Sequence, residues 1–153
     1  MSTTAYPSFD VTAFEELIGF PLDPFQRDAV EAYLSGHSVL VAAPTGTGKT
    51  AIAELAVLDA LRRGARALYT TPIKALSNQK LRDFRKLLER ATERGLLPPG
   101  HKAGLLTGDI VLDPDASLLV MTTEVLRNML VQGRDTPEQA GVIVFDEVHY
   151  MGD

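Results

Sequence analysis

The sequence predicts an α/β domain in which a parallel sheet is flanked by helices. Two apolar runs, residues 37–43 and 141–146, indicate buried strands because each is short and largely apolar and is followed by polar residues. A segment rich in Ala and Leu, residues 49–63, follows the first run with helical periodicity. Strands that alternate with helices in this way are typical of βαβ units, whose strands run parallel.

The remaining elements continue this alternation. We expect residues 1–19 to be a poorly anchored lead-in that contains a short helix at Val11–Ile18, and residues 20–153 to form the domain. Pro24–Leu34 is predicted to be a helix with Pro in its first turn, where the missing N–H costs nothing. The other predicted elements are strands at 66–71, 103–107 and 117–122 and helices at 74–94 and 124–131.

Composition limits the class of protein. The 153 residues are 45% apolar, which suffices for a sizeable core. With no cysteine there is no disulfide framework or thiolate metal site, and a reducing interior suits the chain. No apolar run approaches the length of a membrane span and the N-terminus shows no signal-like pattern, so we expect a cytoplasmic protein with no membrane partner. The net charge of −5 gives no support to nucleic-acid binding, although a local basic strip remains compatible with it.

The stretch AAPTGTGKT predicts a loop that binds nucleotide phosphates. Gly46 and Gly48 allow a tight bend that turns successive N–H groups towards a polyphosphate at a helix N-terminus. Lys49 would contact the β- and γ-phosphates, and the Thr50 hydroxyl would bind magnesium. Its start with Ala in place of the usual Gly indicates a variant loop, and the alternative is an ordinary glycine loop. The predicted phosphate-binding residues are Ala43, Pro44, Thr45, Gly46, Thr47, Gly48, Lys49 and Thr50.

An acidic pair, Asp146 and Glu147, follows the last predicted strand. The carboxyl edge of an open α/β sheet is where ligands bind. We expect Asp146 to hold magnesium and Glu147 to orient and deprotonate the attacking water, since phosphoryl transfer requires mainly positioning and charge neutralisation. Taken alone, such a pair is more often a solvated turn or a helix cap.

Read in order, five segments resemble the motifs of superfamily-two DExH-box helicases, and most of all the superkiller-type (Ski-like) RNA helicases. The similar segments are GFPLDPFQ at 19–26, TPIKALSNQK at 71–80, LTGDI at 106–110, MTTEVLRNML at 121–130 and DEVHYMGD at 146–153. The resemblance implies a RecA-like P-loop domain, namely the first motor domain of an ATP-dependent RNA helicase, with ATP and magnesium as cofactors.

The resemblance also implies roles at the nucleotide. Gln26 would hydrogen-bond the adenine edge, with Phe20 against the ring. The alternative without a binding role is that Gln26 lies on the exposed side of its helix. His149 would couple the state of the nucleotide to the strand-binding half of the motor rather than bind metal.

Loops after two strands are implied to contact a single nucleic-acid strand, which the resemblance indicates is RNA. The residues concerned are Thr71, Pro72, Lys74, Thr122, Thr123 and Arg127. Hydroxyls, backbone N–H groups and helix N-termini suit phosphate oxygens and carry no base information, so we expect sequence-tolerant tracking. For Lys74 and Arg127 the alternative is a solvated helix face. The basic residues between 82 and 94 alternate with acids, so we expect an exposed surface of ion pairs there.

Family members have a second motor domain with arginine fingers, and some act with exonuclease complexes. We therefore expect this chain to be an incomplete first motor domain, truncated after the DExH motif, and poorly active alone. In the family's sheet order a strand after that motif would lie centrally, so apolar strand edges are expected to be exposed. Two alternatives stay open: a DNA helicase of the same superfamily, and a catalytically silent fragment that binds nucleotide or protein partners.

Overall fold

A computed structural model describes residues 9–34, 47–133 and 140–146, and for residues 47–50 the backbone only. These parts of the chain form five helices and five strands. In chain order they are α1 (Val11–Ile18), α2 (Pro24–Leu34), α3 (Thr47–Arg62), β1 (Arg66–Thr71), α4 (Lys74–Glu93), β2 (Ala103–Leu106), β3 (Val111–Leu112), β4 (Leu118–Thr122), α5 (Thr123–Val131) and β5 (Ala140–Phe145).

The described strands form one sheet in the order β3-β2-β4-β1-β5. Strands β2, β4, β1 and β5 run parallel to their neighbours, which confirms the predicted α/β class. The predicted bounds of α1, α2 and β1 agree with the structure, and the other predicted elements within the described ranges differ from it by one or two residues. The strand predicted at residues 37–43 lies outside the described ranges, so its place in the sheet stays a prediction.

A short antiparallel strand, β3, was not predicted. It pairs with β2 through Leu105 and Leu112. Gly104 permits this hairpin because a Cβ at that position would lie 2.2 Å from the backbone oxygen of Asp113. Asp113 itself has a φ of 47°, a left-handed conformation that Asp tolerates better than most residues. The sheet is therefore parallel with one antiparallel edge strand.

The two faces of the sheet bury different layers because side chains alternate along each strand. On one face Ala67, Tyr69 and Val120 join the larger core with α1, α3 and α4. On the other face Leu68 and Met121 pack against the apolar side of α5. Helices cover both faces, as a doubly wound domain requires.

The N-terminal helix is firmly anchored, so the prediction of a poorly anchored lead-in was wrong for residues 9–19. Phe14 and Leu17 are completely buried in the larger core. The Glu15 carboxylate accepts hydrogen bonds from the Leu22 backbone N–H at 2.7 Å and from Arg27 at 2.9 Å. Helix α1 is thereby fixed to the segment that leads into α2. Residues 1–8 lie outside the described ranges.

Helix α4 exposes basic side chains as predicted, but their described partners are not the acids of the same helix. Arg85 forms an ion pair with Asp113, after β3, at 3.5 Å. Arg90 donates to the backbone oxygen of Leu17 at 2.7 Å and so holds α1 against α4. The basic face of α4 therefore connects elements of the fold.

Strand β5 lies at one end of the described strand order. Every residue of this strand is at least partly accessible, and Phe145 is 49% exposed. Across the described ranges, no helix combines the length and apolarity that crossing a membrane requires.

Candidate functional site

Four parallel strands end at the same edge of the sheet and bring the predicted functional segments together. Asp146 follows β5, Thr71 ends β1 and Thr122 ends β4. Thr71 and Thr122 are direct partners in the β1–β4 register. The turn at residues 107–110 follows β2 at this edge. Ligand sites of open α/β sheets lie in this position.

Asp146 is held at its backbone and at its side chain. Its backbone N–H donates to the Thr70 oxygen at 2.9 Å, which continues the β1–β5 pairing by one residue. Its carboxylate oxygen Oδ2 accepts a hydrogen bond of 2.6 Å from the Tyr69 hydroxyl. The Thr70 hydroxyl donates to the Val144 oxygen at 3.0 Å and further fixes the end of β5. The carboxylate that was predicted to hold magnesium therefore has a defined direction.

Sequence reasoning missed Tyr69. Its side chain is 3% exposed, and its ring meets that of Phe84 edge-on with centroids 5.1 Å apart. Burial, together with the hydrogen bond to Asp146, raises the pKa of Tyr69 well above its ordinary value. The phenol therefore stays protonated at neutral pH and donates a hydrogen bond. No single-strand pattern marks this role, because the contact joins residues 77 positions apart.

A second titratable group, the partly buried Glu54 of α3, lies on the same face of the sheet. Burial raises the pKa of its carboxyl group from 4.5 to about 7. The charged groups of α4 that act on it are Lys80, Asp83 and Arg90. The positive charges lower this pKa and Asp83 raises it, but desolvation dominates. Lys80 also lies 5.7 Å from the centre of the Tyr69 ring.

Helix α3 points its N-terminus at the edge that carries Asp146. Its last turn leads directly into β1, and the Ala65 N–H donates to the Ala60 oxygen at 2.9 Å. The helix therefore runs back along β1. Its 16 residues span about 24 Å, enough to return along a six-residue strand of about 20 Å. The positive end of the helix dipole thus lies at the carboxyl edge, as phosphate binding requires.

The structure leaves part of the predicted nucleotide site undescribed. Ala43, Pro44, Thr45 and Gly46 lie outside the described ranges, as do Glu147 and His149. For Thr47, Gly48, Lys49 and Thr50 the structure shows only that they form the first turn of α3, so the predicted roles of their side chains stay predictions.

Gln26 is buried, so the alternative that it lies on an exposed helix side is wrong. Its side-chain oxygen accepts from the Asp23 N–H at 2.8 Å, and its own N–H donates to the Asp23 carboxylate at 2.7 Å. This is a capping box with Pro24 at the first helical position. The box uses one lone pair of the side-chain oxygen and does not involve its second lone pair or the two N–H donors of the side-chain amide. Phe20, predicted to lie against adenine, is 39% exposed, and the neighbouring Phe25 is 60% exposed.

The hydroxyl of Thr71 shapes its loop instead of facing solvent. Thr71 is completely buried, and its hydroxyl donates to the Ile73 oxygen at 2.8 Å and lies 2.7 Å from the Ser77 hydroxyl. The hydroxyl is therefore engaged within the loop, and a contact of Thr71 with nucleic acid through its backbone stays a prediction. Thr71 supports the turn that carries the exposed Pro72 and Lys74.

Lys74 lies in the first turn of α4, whose N-terminus has no side-chain cap. A cation there is opposed by the helix dipole, so local stability does not explain it. Its ammonium group pairs with Asp109 at 2.5 Å. Asp109 also accepts from the Thr107 hydroxyl at 3.1 Å, and the bonds from Lys74 and Thr107 hold the pKa of Asp109 below its ordinary value. Asp109 was not among the predicted site residues, although it lies in the quoted LTGDI segment.

The loop after β4 begins helix α5. The Thr122 hydroxyl caps this helix by accepting from the Val125 N–H at 3.4 Å. Thr123 and Arg127 are exposed one turn apart on the same helix. Together with Lys74, they leave two helix N-termini and two cations at one edge. This arrangement suits an extended row of phosphates better than a base edge.

The residues of the edge fit magnesium by their chemistry. Magnesium prefers oxygen ligands and is usually bound through one or two carboxylates together with substrate phosphates and water. Asp146 offers such a carboxylate beside the N-terminus of α3, and its hydrogen-bond donor Tyr69 is neutral. A neutral donor adds no positive charge that would compete with a metal ion for the carboxylate.

A doubly wound sheet with a predicted phosphate-binding sequence at the start of α3 and an acidic residue after β5 is the arrangement of a RecA-like domain. A family model described as DEAD/DEAH box helicase matches residues 23–153, and the chain belongs to this family. A crystal structure of a hypothetical ATP-dependent RNA helicase from Sulfolobus tokodaii aligns with a TM-score of 0.66 over 89% of this chain and 41% of that one. At 23% identity this match supports the fold alone.

Curated relatives confirm the resemblance to superkiller-type helicases. The antiviral helicase SKI2 of Saccharomyces cerevisiae is 45% identical over 92% of this chain. The exosome RNA helicase MTR4 of Homo sapiens is 46% identical over 88% of it. The chain spans only 11% and 12% of the lengths of these two relatives.

Proposed function

We propose that this chain is the ATP-binding motor domain of an ATP-dependent RNA helicase, in which ATP hydrolysis drives movement along or unwinding of RNA. The observation that carries the proposal is the position of Asp146. Its carboxylate is fixed at the carboxyl edge of the sheet, where the N-terminus of α3 also points. Membership of the DEAD/DEAH box helicase family supports the same function.

The chemistry at this edge is phosphoryl transfer to water. Thr50 and Asp146 would hold a magnesium ion, which would neutralise charge on the β- and γ-phosphates. Lys49 would contact the phosphates, and Glu147 would orient the attacking water and take its proton. Gln26 and Phe20 would bind the adenine. The rate would stay low until a second motor domain supplies arginine, a part worth about 10³–10⁵ in rate in related enzymes.

The loops after β1 and β4 would hold the nucleic-acid strand by its phosphates. Lys74, Thr123 and Arg127 are exposed at this edge, and the helix N-termini beside them favour anions. We propose RNA, not DNA, as the substrate because the similar curated proteins are named as RNA helicases. The relative named as an exosome helicase favours an exonuclease complex as a partner of the whole protein.

The test is ATP hydrolysis by this chain joined to a second motor domain of the family, measured with single-stranded RNA and with DNA of the same sequence. We expect hydrolysis to rise with RNA and to respond less to DNA. Glu147→Gln should abolish turnover and leave ATP affinity nearly intact, because it removes the base and keeps the size of the side chain. Lys49→Ala should weaken ATP binding itself.

The two variants serve as each other's control, since both lie at the nucleotide and only one removes a phosphate contact. Equal losses of affinity in both would show that the roles are misassigned. Stimulation by DNA as strong as by RNA would favour the DNA-helicase alternative. A joined protein that binds ATP without any hydrolysis would favour the silent fragment.

A further inference from the structure

Tyr69 lies outside the segments that resemble the family motifs, yet its hydroxyl reaches the centre of the candidate nucleotide site. The bond to Asp146 Oδ2 is 2.6 Å long, towards the short end of the range for O–H···O hydrogen bonds. Tyr69 opposes Val144 in the β1–β5 register. Its side chain therefore extends forward along the sheet face by two residues to meet Asp146.

The phenol ring has little freedom to move. It is 3% exposed, and its edge-on contact with Phe84 fixes it from the α4 side at 5.1 Å between ring centres. Lys80 of the same helix lies 5.7 Å from the ring centre. The position of the hydroxyl is consequently set by the packing of α4 against β1.

The hydroxyl is not required for this packing, because Phe would make the same apolar contacts. A buried tyrosine hydroxyl needs a hydrogen-bond partner, and the partner here is the carboxylate that would bind magnesium. The Asp146 backbone is fixed separately by its bond to Thr70. The phenol therefore restricts the remaining rotation of the carboxylate. As a neutral donor it brings no positive charge that would compete with a metal ion.

We propose that Tyr69 is a positioning residue that aims the Asp146 carboxylate at the magnesium ion of the bound nucleotide. The inference rests on the proposed function, since it assumes that Asp146 binds magnesium. Partners that orient a metal ligand are typically worth about 10–100-fold in metal affinity. Tyr69 would act in this way through Asp146, without touching the nucleotide.

The experiment compares Tyr69→Phe with the parent chain. The dissociation constant of ATP is measured by calorimetry in excess EDTA and then across a magnesium titration. We expect metal-free ATP affinity to stay within about twofold, because the phosphate contacts are unchanged. The magnesium concentration for half of the affinity gain should rise roughly tenfold.

Tyr33→Phe is the matched control, since it removes a tyrosine hydroxyl that donates to the Ala56 oxygen at 3.3 Å, in contact with α3 but away from Asp146. It should leave the magnesium titration unchanged. A Tyr69→Phe titration that matches the parent would overturn the inference alone. An equal loss of ATP affinity with and without magnesium, accompanied by a lower unfolding midpoint, would assign Tyr69 a purely structural role and also overturn it. A parent chain whose ATP binding does not respond to magnesium would overturn the proposed function together with the inference.

Discussion

Two side-chain hydrogen bonds to aspartate carboxylates at the same edge of the sheet have nearly the same length but differ in exposure and in the charge of the donor. The Tyr69 hydroxyl oxygen lies 2.6 Å from Asp146 Oδ2, and Lys74 Nζ lies 2.5 Å from Asp109 Oδ2. Tyr69 is 3% exposed, whereas the side chains of Lys74 and Asp109 are 49% and 65% exposed. Length alone therefore does not indicate how firmly a functional side chain is held.

The difference suits the two proposed tasks. A carboxylate that binds a metal ion must keep its direction, and a buried neutral donor fixes that direction without adding a competing positive charge. A lysine that binds successive phosphates must exchange one partner for another. An exposed ion pair permits exchange because water and salt screen it. The nucleotide side of the edge is fixed, and the strand-binding side is exchangeable.

The largest expected effect is at Asp146, on the nucleotide side of the edge. Asp146→Asn keeps the shape and can still accept the Tyr69 hydrogen bond, but it removes the charge that would bind magnesium. We expect the gain in ATP affinity on adding magnesium to fall by about a hundredfold or more, since loss of a supporting partner already costs about 10–100-fold. Calorimetric titration of ATP with and without magnesium measures it.

Asp109→Asn removes an equal charge on the exchangeable side and serves as the control for Asp146→Asn. It should leave the magnesium-dependent gain unchanged. If both substitutions reduce that gain alike, the effect is one of general charge, and the contrast between the two sides of the edge is lost.

The features that could be predicted from the sequence were those that follow the periodic spacing of apolar residues. Periodicity predicted the bounds of α2 and β1, because apolar spacing directly reflects burial. The N-terminal helix was predicted in position but not in anchorage, although Val11, Phe14 and Ile18 already lie at helical spacing. The Asp23–Gln26 capping box also had a readable signal, namely Asp followed by Pro and, three residues after Asp, by Gln.

Features that depend on contacts between distant segments could not be predicted. Strand β3 has two residues and depends on the absence of a Cβ at Gly104. The contact of Tyr69 with Asp146 depends on the neighbouring strand β5. The contact of Asp109 with Lys74 depends on the turn after β2. Thr71 was predicted as a nucleic-acid contact from its motif, and only packing shows that its hydroxyl is enclosed.

The buried side should also respond to pH, at an intermediate magnitude. Because burial raises the pKa of Glu54 to about 7, the folded state holds a proton that the unfolded state releases near pH 4.5. The free energy of unfolding should therefore fall as pH rises from about 4.5 to 7, by at most about 3 kcal/mol from this group. Glu54→Gln should remove this dependence and stabilise the protein above pH 7.

Denaturant unfolding at pH 5 and pH 8 measures this change, with the exposed Glu89→Gln as the control. The control should keep the dependence of the parent on pH. A Glu54→Gln variant that loses as much stability between the two pH values as the parent would show that Glu54 is charged in the folded state. The surroundings of Glu54 would then be more hydrated than its partial burial indicates.

The smallest expected effect is at the exchangeable side. If Asp109 holds Lys74 only until a phosphate replaces it, Asp109→Asn should strengthen binding of single-stranded RNA by less than about fivefold, the range of an exposed ion pair. Lys74→Ala should weaken binding and reduce the salt slope by about one unit or less. Fluorescence anisotropy with labelled RNA at several salt concentrations measures both.

The matched control for that experiment is Asp113→Asn, which removes an exposed charge that pairs with Arg85 at 3.5 Å, away from the carboxyl edge. Asn also tolerates the left-handed backbone at this position, so the fold is preserved. Asp113→Asn should change RNA affinity less than Asp109→Asn does. Because Asp109 is expected to act through Lys74, Asp109→Asn should have little further effect in a Lys74→Ala background. Equal strengthening by both acidic substitutions would instead show that RNA senses only the net charge of the domain, and Lys74 would then have no exchangeable partner.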